Sequence, residues 1–253
     1  MNKICEYYCL LLLQLYLLLL TSARRQSNTI SSEKEQSYKW VEGGAIVSNE
    51  IIRYEGFLGF GVWNGGILST PEAFQYRHWV RCSAPYDSNF SITFLVGKDS
   101  NNTVTNKHII QEMYTYKDIM LFDVSESYGF GVTQKVFGFF DAVLKFRPDS
   151  KFIVKSDHDV QVDTISILIE ETGSLALPVY YGKVWGGNGK WPKIKVDRNK
   201  TSKRYVSTET LSMSHYPPFC SGWGYVIDVQ TLQKICHISK TSQMKIHEDS
   251  WLG

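Results

Sequence analysis

From about residue 90 onward the chain alternates short β-rich runs with helically spaced apolar residues. That alternation points to βαβ units around a mostly parallel central sheet flanked by helices, an α/β class. SITFLVG (91–97) is a continuous apolar run ending in glycine, NKHIIQEMY (106–114) has helical spacing, and DIMLFDV (118–124) is the next strand. The cycle then repeats. Within 131–146, Val132, Val136, Phe139, Phe140, Val143 and Leu144 share one helical face; KFIVKSD (151–157) reads as a buried strand, VDTISILIEET as a helix and VYYGKVW as a strand. The Lys- and Arg-rich segment that follows reads as a solvated face. The Gly-rich stretch GFLGFGVWNGG (56–66) lacks the strand-loop-helix context of a dinucleotide fold and reads as flexible loop.

Charge excludes one class of partner. The 27 basic and 25 acidic residues are scattered, for a net charge of +2, so no polyanion-binding face is expected and nucleic acid is not an expected partner. The N-terminus carries an apolar stretch over 7–20, interrupted by Gln14 and followed by Thr21-Ser22-Ala23. It is shorter than the roughly 18 apolar residues of a spanning helix. Residues 1–25 are therefore expected to be a signal peptide or a signal anchor, 26–69 a flexible stem and loop region, and 70–253 one folded domain. Sequons at Asn89, Asn101 and Asn199 fall in hydrophilic surroundings and predict glycosylation in the secretory pathway. Downstream of the targeting segment stand Cys82, Cys220 and Cys236, an odd set that admits at most one internal disulfide, with Cys220 and Cys236 closing the shortest loop.

The strand KFIVKS breaks into Asp157-His158-Asp159. In open α/β sheets ligands bind beyond the carboxyl ends of the strands, which places these carboxylates where a ligand would lie. Hard carboxylate oxygens suit Mg²⁺ or Mn²⁺, ions usually held by one or two carboxylates together with substrate phosphates. The competing explanation is that the Asp residues cap the following helix, a role Asp163 fills better.

Six segments, in the family's order along the chain, resemble glycosyltransferase family 31, the β-1,3-galactosyltransferase and β-1,3-N-acetylglucosaminyltransferase group. KFIVKSDHDVQVD is similar to the family's K-x-D-D-D-V segment, with Lys155 at the Lys position and His158 replacing the central Asp. Arg77 and Arg81 keep the spacing of R-x-x-I-R-x-T-W, whose Trp is here Ala84. ITFLVG and the run from Asp118 to Phe146 resemble the next two segments, with Phe130-Gly131-Val132-Thr133 standing where Asn-Leu-Thr would be. KRYVSTETLSMSHYPPFCSGWGYVID (203–228) resembles the family's Y-P-x-Y-C-S-G-x-G-Y-V region, and HEDSWLG (247–253) its E-D-V-(Y/W)-x-G. The resemblance covers roughly 70–253.

The resemblance implies a GT-A nucleotide-sugar-binding fold and an inverting transferase. Such an enzyme moves a hexose or N-acetylhexosamine, galactose favoured, from a UDP-sugar (UDP-galactose or UDP-N-acetylhexosamine) to a glycan acceptor on glycoprotein or glycolipid in β-1,3 linkage. It implies Mn²⁺, or Mg²⁺, at Asp159 and Asp157, with Lys155, Arg77 and Arg81 on the nucleotide side, although two arginines four residues apart on a helix are as often structural. Asp249 is the implied general base, a role that needs a carboxylate within reach of the acceptor hydroxyl. Glu248, Gly222, Trp223 and Gly224 are the implied substrate-binding positions, the glycines for close backbone approach and Trp223 for stacking on a sugar; the competing readings are a helix N-terminal acidic residue for Glu248, ordinary turn requirements for the glycines and a place in the core for Trp223. It further implies a Golgi type II membrane protein held through its N-terminal segment, or a secreted protein if that segment is cleaved. Family members continue past the E-D-V-(Y/W)-x-G motif and supply a downstream His to the metal site, whereas this chain stops at Gly253. The implied fold is then incomplete at its C-terminus, and a lumenal binding protein without turnover is the alternative expectation.

Overall fold

The computed structural model describes residues 38–83, 89–98, 103–126, 129–160, 162–187, 191–241 and 248–252. The targeting segment and Asn101 lie outside the described residues. Among those described are strands β1 (Tyr38–Val47), β2 (Glu50–Gly59), β3 (Trp63–Leu68), β4 (Phe90–Gly97), β5 (Ile119–Phe122), β6 (Phe152–Asp157), β7 (Tyr180–Trp185) and β8 (Phe219–Asp228). The helices are α1 (Phe74–Ser83), α2 (Thr103–Tyr116), α3 (Phe130–Phe146), α4 (Val162–Thr172), α5 (Val229–Ser239) and α6 (Glu248–Leu252). No helix among the described residues is long and apolar enough to cross a membrane.

The strands form a single mixed sheet in the order β1-β2-β5-β4-β3-β6-β8-β7. Its four central strands, β5-β4-β3-β6, run parallel, and both flanks are antiparallel. The central strands are the apolar runs that the sequence marks, buried on both faces because helices cover both. Alternate residues feed opposite layers: Leu95, Ile153 and Tyr225 join α3 and α5 on one side, while Phe94, Val154 and Val226 join α1, α2 and α4 on the other. Helix α3 is buried on more than the one expected face, since Phe137, Gln134 and Lys135 are covered along with the apolar stripe.

The N-terminal boundary differs from expectation. Residues 38–68, read from sequence as stem and loop, supply three strands of the sheet and so belong to the folded unit. The β1–β2 hairpin turns through Ser48 and Asn49, both at positive φ, the geometry of a two-residue turn matched to strand twist. The tip is pinned by Ser48 N donating to Ser239 O and Asn49 N to Lys240 O, each at 3.1 Å. The Gly-rich stretch is ordered for a packing reason: a Cβ at Gly66 would lie 2.5 Å from the Phe139 ring, so glycine lets α3 approach β3. Neighbouring Asn64 is buried in the sheet yet satisfied, donating to Gly61 O at 2.8 Å and Ser150 Oγ at 2.6 Å and accepting from Ser91 Oγ at 3.1 Å.

The cysteine expectation also changes. Cys220 and Cys236 are buried free thiols and Cys82 is an exposed one, so the short Cys220–Cys236 loop is not closed by a disulfide. Burial pushes the Cys220 thiol up to about 11, with the Asp249 charge adding to it, and pushes Cys236 up to about 12.

Candidate active site

The parallel strands have the order third, second, first, fourth along the chain, which makes the gap between β3 and β6 the point where connections diverge. Ligands bind at such a point, beyond the carboxyl ends of the strands. Here β3 ends at Leu68 beside Asp157, the last residue of β6. The turn after β6 is held against β3 by His158, whose backbone N donates to Leu68 O at 3.0 Å and whose Nδ1 lies 2.9 Å from the same oxygen. His158 also packs against Tyr76, with ring centroids 4.9 Å apart. That ring position and hydrogen bond make His158 a support for the turn.

A cavity of about 1130 Å³ opens at this point. Asp157, His158 and Asp159 line it together with Lys155, Gly222, Trp223 and Asp249, so the carboxylates after β6 and the carboxylate of α6 share one space although nearly a hundred residues separate them. Lys155 ties the two sides together. Its Nζ, on a residue only 2% exposed, donates to Asp157 Oδ1 at 2.9 Å and to Gly222 O at 2.5 Å. Gly222 N in turn donates to Asp249 Oδ2 at 2.9 Å, and Ser156 Oγ donates to Trp223 O at 2.8 Å.

Asp249 is held from its own helix as well. Its Oδ1 accepts from Ser250 N at 2.7 Å and Ser250 Oγ at 3.3 Å. Trp251 anchors α6 by packing edge-on against Phe137 of α3 at 5.7 Å. Glu248 opens the same short helix. Gly222 leaves room for both side chains: a Cβ there would lie 2.9 Å from Asp249 Oδ2 and 3.3 Å from Lys155 Nζ and would push them aside. Gly224 pairs with Ser156 across β6–β8, in the body of the sheet.

Arg77 and Arg81 do not line the cavity. Arg77 is fully buried and its five N–H groups are all used: Nε and Nη2 to Glu112 at 2.9 and 2.6 Å, Nη1 to Ser69 Oγ at 3.0 Å and to Thr70 O, and Nη2 to Pro71 O at 3.2 Å. Arg81 forks onto Asp118 at 2.8 and 2.7 Å and reaches Glu112 at 2.8 Å, with its guanidinium 4.0 Å from the Tyr116 ring centroid. The expectation that both hold nucleotide directly is corrected. They fix the Ser69-Thr70-Pro71 turn and the α1–α2 packing from behind, because a buried guanidinium must find carboxylates.

Among the cavity residues that escaped the sequence reading are Lys135 and Glu126. Lys135 of α3 donates to Ser69 O at 3.0 Å and to Glu126 Oε2 at 2.7 Å, and Glu126 also accepts from Gly97 N. Burial pushes the Lys135 ammonium below the usual lysine range, with Glu126 pulling against it. The one signal available was Lys135 on a helical stripe of Val and Phe, where an unpaired lysine would be costly.

The donor set can be tested against a divalent cation. Asp157 is partly exposed with Oδ1 on Lys155, and Asp159 is exposed beside it. Two hard carboxylates on an open cavity fit an ion that takes its other ligands from a phosphate-bearing substrate. Among the described residues no group of three or more His, Cys, Asp or Glu side chains converges, so a cage supplied by the protein alone is not formed there.

The sequence profile described as galactosyltransferase matches residues 77–253, most of the chain. The chain belongs to the galactosyltransferase family. Beta-1,3-galactosyltransferase 1 of Mus musculus and of Homo sapiens are each 27% identical to this family member over 195 residues, 74% of this chain and 57% of theirs. Beta-1,3-galactosyltransferase 5 of Homo sapiens is 28% identical over 162 residues, 63% of this chain and 49% of its own. This family member thus spans about half the length of the curated relatives it matches. Of its sequons, Asn89 and Asn199 are exposed, and Asn199 Oδ1 accepts from Thr201 N at 3.1 Å and Thr201 Oγ1 at 2.9 Å.

Proposed function

We propose that the chain carries the transfer site of an inverting glycosyltransferase that moves a hexose or N-acetylhexosamine, galactose favoured, from a UDP-sugar to a glycan acceptor in β-1,3 linkage. The observation that supports this reading is the shared cavity, with the Asp157-His158-Asp159 turn on one side and Asp249 on the other, joined through Lys155 and Gly222. Membership of the galactosyltransferase family supports the reaction class. The relatives named beta-1,3-galactosyltransferase favour galactose and a β-1,3 linkage in this reading.

Asp159 and Asp157 would hold Mn²⁺ or Mg²⁺ against the donor diphosphate. A divalent cation bound there supplies positive charge to the departing UDP. Lys155, fixed between Asp157 and Gly222, adds a second positive charge and holds the Asp157 carboxylate in one orientation. Asp249 takes the proton from the acceptor hydroxyl as it attacks the anomeric carbon opposite the leaving group, which inverts the configuration. Its carboxylate is fixed by Gly222 and Ser250, so little reorientation is needed when the acceptor arrives. A secretory-pathway location, glycosylation at Asn89, Asn101 and Asn199 and an N-terminal membrane attachment belong to the same proposal.

The test is transfer from a panel of UDP-sugars to glycan acceptors with and without Mn²⁺, by the wild type and by Asp249→Asn and Asp159→Ala. Expected are metal-dependent transfer and a loss of about 10²- to 10⁴-fold in Asp249→Asn. Metal-independent transfer, or an unaffected Asp249→Asn, defeats the mechanism. UDP binding without transfer across the panel supports the alternative, a binding protein of the same fold.

A further inference from the structure

Beside the cavity, Lys183 of β7 is enclosed by three indoles. Its Nζ lies 4.6 Å from the ring centroid of Trp185, 4.1 Å from Trp191 and 4.5 Å from Trp223. The rings meet edge to face, Trp185 with Trp191 at 5.6 Å and Trp185 with Trp223 at 6.5 Å. Ring faces attract an ammonium, so this arrangement holds the lysine head in place. Among the described residues no carboxylate forms an ion pair with Lys183.

The cluster joins the cavity through Trp185 and Trp223, which line it. Trp223 remains 56% exposed and Trp191 37%, an expensive way to leave two of the largest apolar side chains unless a ligand covers them. Trp223 follows Gly222, the residue whose N–H holds Asp249. The same lining carries the basic Lys195 and Arg204 as well as the acidic Glu126, Asp157, Asp159, Asp197 and Asp249, while Arg198 is spent on the carbonyls of Val206, Leu211 and Met213. An exposed indole offers a flat face to the C–H side of a pyranose, and a fixed ammonium beside it offers charge-assisted hydrogen bonds to an anion.

We propose that Lys183, Trp185, Trp191 and Trp223 form a saccharide subsite that selects acceptor glycans carrying an anionic group, a carboxylate or a sulfate ester. A sugar ring stacks on Trp223 and its charged substituent meets Lys183. The inference rests on the acceptor cleft proposed above, and it adds the class of acceptor which that reading leaves open.

The experiment is a tryptophan-fluorescence titration of the full chain at low salt with N-acetyllactosamine, its 6-sulfated form and a glucuronic-acid-terminated disaccharide. The charged saccharides should bind about tenfold tighter than the neutral one, and raising the salt should erode the difference. Lys183→Met should bring the charged probes to the level of the neutral one, Lys183→Arg should retain the preference, and Trp223→Ala should weaken all three. A response to only one charged probe identifies sulfate or carboxylate as the ligand. Equal affinities for charged and neutral probes, no saccharide binding, or a preference that survives in Lys183→Met overturns the proposal. UDP binding to the wild type, measured in parallel by calorimetry, reads the donor proposal separately: no UDP binding with the anion preference intact sinks that reading and leaves this one standing.

Discussion

The backbone N–H of Gly222 donates to Asp249 Oδ2 at 2.9 Å, so the carboxylate proposed as the base is positioned by the strand that forms the cavity wall. On its carbonyl side the same residue accepts from Lys155, the partner of Asp157. One glycine therefore sets the spacing between the two acidic sides of the cavity. A methyl group there would meet both Asp249 Oδ2 and Lys155 Nζ. Gly222→Ala should fold normally by circular dichroism yet lose about 100-fold in transfer rate, since small misplacements of a reacting group have that effect. Wild-type transfer rates in Gly222→Ala would refute the assignment of Asp249.

The Asp157-His158-Asp159 turn should be legible in donor binding. Asp159→Ala and Asp157→Asn are each expected to weaken Mn²⁺-dependent UDP binding by about 10- to 100-fold, the range found when metal ligands or their supports are changed. Calorimetry with and without Mn²⁺ checks it, and UDP binding indifferent to both the metal and the substitutions would remove the turn from the site. His158→Asn should retain most of the affinity, because the His158 ring is engaged with Leu68 O and Tyr76.

The buried Arg77–Glu112–Arg81 network should govern stability. Burial pushes the Glu112 carboxyl up, but its bonds to Arg77 and Arg81 outweigh that and hold it below its ordinary 4.5. A carboxylate with a lowered pKa in the folded state contributes stability that is complete above its unfolded value and is lost as pH falls through the folded one. Glu112→Gln should therefore cost about 3–5 kcal/mol at neutral pH, and the gap to wild type should narrow below pH 4.5. Urea unfolding at pH 7 and at pH 3 tests it; a pH-independent gap would mean the network is not ionic.

Thiol reactivity offers a test of the core. Cys82 is exposed, whereas burial pushes Cys220 up to about 11 and Cys236 up to about 12. At pH 8 the native protein should be alkylated at Cys82 and protected at Cys220 and Cys236, both reacting once urea is added. Peptide mapping reads this directly, and a Cys220–Cys236 disulfide found in the native protein would contradict the packing.

Periodicity made β4, β5, β6 and the helices between them readable, because an apolar strand covered on both faces has to be written as an unbroken apolar run. The same logic hid β3. Its Asn64-Gly65-Gly66 lacks any strand signature, and Asn64 is acceptable in the sheet only because Ser91 and Ser150 arrive from elsewhere in the chain to satisfy it. Arg77 and Arg81 were misplaced for a related reason. Their spacing looks alike on a ligand-facing and on a buried helix, and the deciding partner, Glu112, lies 35 residues from Arg77.

By itself, the sequence determined that a strand would end in Asp157-His158-Asp159 at the carboxyl edge of a parallel sheet, and its motif order identified the family. Both are properties of short segments, where side-chain period and residue type suffice. Tertiary structure decided that Asp249 faces that turn through Gly222, that Lys155 bridges them, and that Lys183 lies among three indoles. Those relations depend on which distant groups packing brings within hydrogen-bond or ring-contact distance. A buried charge or polar group is stable only with the partner that the whole fold delivers.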